Sequence, residues 1–221
     1  MRFLWQKKIT YPDFWEQYAK LFDSKPENDI NKVAFTVFDT ETTGFDFKKD
    51  RILCIGALKL KDASIAMNTI FEEYVQQTHF NPKTVEIHGL LKERISAIPE
   101  EKAIKLFLAY LGNSVIVAHH AHFDVTMINC ALKRMNLPKL KNKVIDTGVL
   151  YKRTRISSHL IKQEKIYSLD ELAEMMHISK KDRHTALGDA FITALVFLKT
   201  LTKLKKGHKM TLKHILKLMR G

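Results

Sequence analysis

With 221 residues, 45% hydrophobic and 28% charged, the chain has material for one ordinary domain plus appendages and is too apolar for wholesale disorder. Its 37 Lys and Arg against 24 Asp and Glu leave a formal net charge of +13, which points to polyanionic partners, nucleic acid before anionic membrane. Two isolated cysteines, Cys54 and Cys130, make neither a disulfide framework nor a zinc site and fit a reducing compartment. No stretch approaches the roughly 18 apolar residues of a membrane span. MRFLWQKKITYPDFW has no apolar core of signal-peptide length before its charges resume. The expectation is a soluble, cytoplasmic protein.

In chain order, residues 11–22 read as a short amphipathic helix with Phe14, Tyr18 and Leu21 or Phe22 on one face. SKPENDIN (24–31) reads as a linker into the main domain. Strands are expected at 33–38, 52–60 and about 69–76, the last alternating as if one face were exposed. From Pro99 the period becomes helical, with acids in the first turn and Gly112 as the stop. SVIVAH (114–119) is a short buried strand, and residues 123–136 are helical. KVIDT (143–147) is another strand, and GVLYKRT begins a helix. SLDELAEMM (168–176) starts a helix with Ser168 as N-cap, and 185–201 is the longest helical pattern. Three strands followed by alternating helices and strands make an α/β domain with a mixed sheet, three strands antiparallel and then parallel ones. The division expected is an N-terminal extension and linker (1–31), a main domain (32–203) and a basic amphipathic tail helix (204–221). That tail could pack on its own domain, or bind a partner, nucleic acid or membrane.

The chemistry centres on carboxylates. VFDTETTG carries Asp39 and Glu41 two residues apart at the end of a strand, so both project to one face. Two such charges raise each other's pKa unless a cation lies between them, and hard oxygen ligands suit Mg²⁺ or Mn²⁺. Asp124 sits just inside the helix that follows VIVAHHAHFD, and Asp189 falls on the face of an otherwise apolar helix, where a lone acid is costly to bury. His184 lies five residues before Asp189, about 140° away on a continuous helix. With Thr185 as N-cap, His184 falls instead in the preceding loop, free to face the same site.

DTETTG, the HxAxFD of residues 119–124 and HTALGD, in that order, resemble the three motifs of the DEDDh (DnaQ-like) 3′→5′ exonucleases over about residues 33–200. The nearest likeness is to the proofreading epsilon subunits of bacterial DNA polymerase III and their stand-alone relatives. The resemblance implies a ribonuclease H-like fold, two Mg²⁺ or Mn²⁺ ions held by Asp39, Glu41, Asp124 and Asp189, and His184 as general base. Histidine's ordinary pKa of about 6.5 suits proton removal from water near neutrality. The implied reaction releases nucleoside 5′-monophosphates from DNA 3′ ends, for proofreading or repair. The alternatives are an RNA exonuclease of the same family, or a non-catalytic nucleic-acid- or polymerase-binding subunit. A polymerase subunit or clamp is an implied partner, and no membrane is.

The resemblance also implies substrate contacts at Thr42, Thr43 and Gly44, whose turn approaches the terminal nucleotide. Phe45 would be an apolar wedge against the last bases, or else a core aromatic, and His88 in VEIHGL lies near the terminal sugar. Asp146 in VIDT recurs in the family but could simply cap the next helix. In one departure, His120 stands where the family commonly has asparagine, and His122 adds a third imidazole. A zinc site from His119, His120 and His122 is disfavoured by their spacing and by the four carboxylates.

Overall fold

A five-stranded mixed sheet forms the centre of the chain, in the order β3-β2-β1-β4-β5. The computed structural model describes residues 10–77, 97–154, 165–205 and 210–219. Strands β1 (Phe35–Thr42), β2 (Ile52–Lys61) and β3 (Ser64–Tyr74) pair antiparallel, and β4 (Val115–Ala118) and β5 (Val144–Asp146) join parallel beside β1. Among the described residues the helices are α1 (Asp13–Lys20), α2 (Glu100–Leu111), α3 (His122–Arg134), α4 (Thr147–Arg153), α5 (Leu169–Met175), α6 (Ala186–Leu204) and α7 (Leu212–Leu218). Thr185 and Ser168 are the N-caps expected of them, the latter in a reciprocal capping box with Glu171.

The alternation of β1 sorts the core into two layers. Phe38 packs with Phe107 of α2 and with Met127, Ile128, Ala131 and Leu132 of α3. Phe35 and Val37 face the other way, toward Phe197 and Leu201 of α6. The apolar run of β1 ends at Phe38, yet pairing with β2 carries the strand on to Thr42, with a bulge between Glu41 and Thr42. The strand therefore runs past the 33–38 expected from hydrophobicity, and the two acids near its end lie within the β1–β2 ladder. Main-chain bonds to a neighbouring strand extend it past the point where hydrophobicity stops.

Helix α1 is part of the core. Tyr18 is buried and Phe14 and Phe22 pack partly buried against the same cluster, as the periodicity expects with Phe22 rather than the exposed Leu21; the buried Trp15 widens that face. Tyr18 donates to Asn142 Oδ1 at 2.5 Å, across 124 positions of sequence. At the other end, α7 buries Leu212 and Ile215 in the α6 layer, and Leu212 N–H donates to Asn28 O. The tail helix thus packs on its own domain. No helix among the described residues is long and apolar enough to cross a membrane.

Candidate active site

The register between β1 and α6 builds the site. Phe35 meets Phe197 edge-on, with centroids 5.1 Å apart. From Phe35, four residues of strand advance about 13 Å to Asp39. From Phe197, eight residues of helix run back about 12 Å to Asp189. Strand and helix point in opposite directions, so acids at those offsets meet. Asp39, Glu41 and Asp189 each offer a carboxylate oxygen, all within 4.8 Å of one another.

Close approach of α6 depends on Gly56, which pairs with Asp39 across the β1–β2 ladder. A Cβ there would lie 2.2 Å from Leu187 N and 2.3 Å from Ala186 C, both backbone atoms at the start of α6. The helix end that carries Asp189 rests directly on a glycine.

Asp124 arrives from the opposite layer. The parallel ladder between β1 and β4 stops at Val37–Val117, and beyond it Thr40 turns to α3. Asp124 Oδ1 accepts from Thr40 N–H at 3.0 Å and from Thr40 Oγ1 at 2.7 Å. Thr40, between the two acids of β1, is therefore the residue that fixes the third. Asp124 lies outside the tight trio but acts on Asp39 and Glu41 electrostatically.

These carboxylates are uncomfortable as anions. Burial, then the charges of Asp124, Asp189 and Glu41, push Asp39 well above the usual carboxylate range. Burial, then Asp189 and Asp124, raise Glu41 to about 7. Burial also lifts Asp124 to about 7 against the lowering effect of its bonds from Thr40. Asp189 is raised by burial too, although Arg183 pairs with it. Its second oxygen, Oδ1, is buried and has no hydrogen-bond partner. A cluster of hard oxygen donors with an orphaned buried carboxylate oxygen fits a hard metal cation.

His184 lies in the loop before α6, exposed, at φ +65°, with Thr185 capping the helix behind it. It is near enough to act on the charge of Asp189. The turn after β1 is well ordered by its own bonds: Thr43 Oγ1 donates to Asp50 Oδ1, Thr43 N–H to Arg51 O, and Thr42 Oγ1 to Gly44 O. Gly44 has no positive φ; a Cβ would instead sit 2.6 Å from the Asp50 carboxylate. Phe45 is 86% exposed and leans on Phe123 with centroids 5.6 Å apart, which overturns its reading as a core aromatic. His88 lies outside the described residues.

Of the three histidines of the second motif, His119 and His120 meet edge-on with centroids 4.3 Å apart, while His122 turns to Phe47. His119 is buried, its Nδ1 paired with Thr147 Oγ1 and its Nε2 with Tyr167 O, and burial lowers its pKa to about 4. His120 is exposed at φ +53°, and His122 sits against the edge of Phe47. Asp146 caps α4, accepting from Gly148 and Val149 N–H, and also accepts from Ala121 N–H.

Arg183 escaped the sequence reading. It reaches Asp189 with Nη1 while Nε and Nη2 each bond the Asp170 carboxylate at 2.9 Å. In KKDRH it looks like one more solvated base, and its partner Asp170 lies on another helix, so no local signal marks it.

The RNase T exonuclease family model matches residues 36–197, a span holding all four acids and His184. The chain belongs to the exonuclease family. Among relatives of this exonuclease domain, the PolC-type DNA polymerase III of Caldanaerobacter subterraneus is 35% identical over 174 residues, covering 78% of this chain and 12% of that protein. The enzyme of the same name from Thermotoga petrophila is 34% identical over 188 residues, covering 84% of this chain and 13% of its own length. The domain thus spans about an eighth of the length of these polymerases. Among solved structures, exonuclease X in complex with 5′-overhanging duplex DNA superposes with a TM-score of 0.60 at 22% identity, covering 83% of this chain and 98% of that one. Exonuclease I of E. coli in complex with a dA16 oligonucleotide gives 0.65 at 16% identity, covering 79% and 42%. The shared architecture is the ribonuclease H-like fold.

Proposed function

We propose that this exonuclease domain hydrolyses DNA one nucleotide at a time from the 3′ end, releasing nucleoside 5′-monophosphates. The observation that carries the reading is the meeting of Asp39, Glu41 and Asp189 within 4.8 Å, with Asp124 held beside them by Thr40. Asp39, Glu41, Asp124 and Asp189 hold a pair of Mg²⁺ or Mn²⁺ ions. When bound there, such cations would supply the positive charge that phosphodiester hydrolysis needs as negative charge develops in the reaction.

The chain's own residues do the rest. His184, on an exposed loop beside Asp189, takes the proton from the attacking water. Phe45, projecting into solvent from the turn after β1 and backed by Phe123, stacks on the terminal base without reading its identity. The Thr42–Gly44 turn links that aromatic to the acid-bearing end of β1, and the net charge of +13 draws the polyanionic strand in. DNA is preferred over RNA because the relatives are DNA polymerases and the superposed exonucleases were solved with DNA. A polymerase is the natural setting, since proofreading couples this chemistry to synthesis.

Matched DNA and RNA oligonucleotides labelled at the 5′ end, digested with Mn²⁺ and with chelator, test the proposal. Stepwise shortening of DNA, abolished by chelator, is expected. Faster shortening of RNA would transfer the activity to that substrate, and absence of shortening of either would leave a binding module.

A further inference from the structure

The mechanism leaves one charged group beside the acids unused. Arg183 has a side-chain exposure of only 17%, and Asp189, its partner, 10%. Asp170, in the first turn of α5, grips the guanidinium from two nitrogens, which fixes its plane and aims the remaining edge at Asp189 Oδ2. Asp189 Oδ1 is left buried and unpartnered, and one oxygen of Asp189 lies within 4.8 Å of an oxygen from each of Asp39 and Glu41. Arg183 also acts on the charges of Asp39 and Glu41, favouring their ionised forms. One carboxylate oxygen thus belongs to a fixed positive charge, the other is buried without a partner, and the carboxylate as a whole is a member of the cluster.

We propose that Arg183 is the resident counter-cation of the acid cluster, a positioning residue that holds the metal-free site together and lowers its affinity for divalent ions. The proposal rests on the assignment of these acids as cation ligands. Two consequences follow from one charge. Without metal, the guanidinium offsets repulsion among four clustered carboxylates that would otherwise push the end of β1 and the start of α6 apart. With metal, an incoming divalent ion meets a cluster that already carries a positive charge, so it binds less tightly and leaves more readily. A purely orienting arginine would do the opposite, since its removal would disorder a ligand and weaken binding.

Mn²⁺ titration of the full chain without nucleic acid, followed by the electron paramagnetic resonance of free Mn²⁺, separates these roles. For R183Q we expect binding tightened by at least about tenfold, roughly what Coulomb's law gives for one unit charge several ångströms from a divalent ion even in a water-like dielectric. In chelator, its melting temperature should fall below that of the wild type. R183K keeps the charge but not the two-point grip on Asp170, and should bind Mn²⁺ within about threefold of wild type. Unchanged or weaker binding in R183Q overturns the proposal. So does a tenfold or greater weakening in R183K, which decides the matter even if R183Q does not fold. A wild-type chain that takes up no Mn²⁺ overturns the cation-ligand assignment itself, a failure distinguishable from the others.

Discussion

Phe35 of β1 and Phe197 of α6 stack edge to face 5.1 Å apart, and this apolar contact sets the distance between carboxylates at the other end of the same two elements. The layer that buries Phe35, Val37 and Leu58 against α6 is continuous with the layer that gathers Asp39, Glu41 and Asp189. Core packing and the reactive centre are thus two ends of one interface, and a change in either is felt in both.

Gly56→Ala tests that coupling. The added methyl would meet the backbone of Ala186 and Leu187, which cannot rotate away. Overpacking of this sort costs about 1–3 kcal/mol, read by chemical denaturation. Because the displaced atoms carry Asp189, nuclease activity should fall by more than tenfold even where the protein remains fully folded.

Metal-free stability should decline as pH rises toward neutrality. Glu41 and Asp124 titrate at about 7 in the folded chain, against roughly 4 when unfolded. Between those values the folded state holds more protons, so each group's contribution is lost as pH rises through the folded pKa. Melting temperatures in chelator should fall between about pH 4 and 7, and Mn²⁺ should raise them more at pH 8 than at pH 5.5. A flat metal-free profile across that window would contradict this account of the cluster.

Phe45→Ala should leave the melting temperature unchanged, since the ring is 86% exposed. Loss of one base stack is worth about 1–3 kcal/mol. The expected result is a KM on single-stranded oligonucleotides raised by about 5- to 150-fold, with kcat changed much less.

His184 carries a backbone cost that separates its two roles. At φ +65° a residue with a Cβ is strained, by roughly 1–2 kcal/mol relative to glycine. His184→Ala and His184→Gly should both reduce turnover by about 10²–10⁴. His184→Gly should nevertheless melt higher than His184→Ala, a difference that removal of the imidazole alone does not explain.

Much of this molecule was legible in the sequence where the signal is periodic or a short motif. The apolar spacing of 185–201, the capping Thr185 and Ser168, and the alternation that puts Asp39 and Glu41 on one face are local facts, and the structure keeps them. What escaped depends on tertiary partners. Strand β1 runs on through its acids because β2 supplies hydrogen bonds, which hydrophobicity does not report. Trp15 joins the buried face of α1 because α2 and the loop bearing Asn142 choose the face. Thr40 and Arg183 read as an ordinary strand threonine and a solvated base, and only the approach of Asp124, Asp170 and Asp189 makes them part of the site.

Asp39→Asn provides the sharpest measurement, with two readouts on one variant. Replacing a carboxylate whose charge is opposed by burial and by three neighbouring acids should raise the melting temperature in chelator while abolishing Mn²⁺-dependent release of mononucleotides from DNA. A variant that still shortens DNA at wild-type rate, or one that loses stability without metal, would contradict the claim that these carboxylates are gathered, at a cost to the fold, to hold catalytic cations.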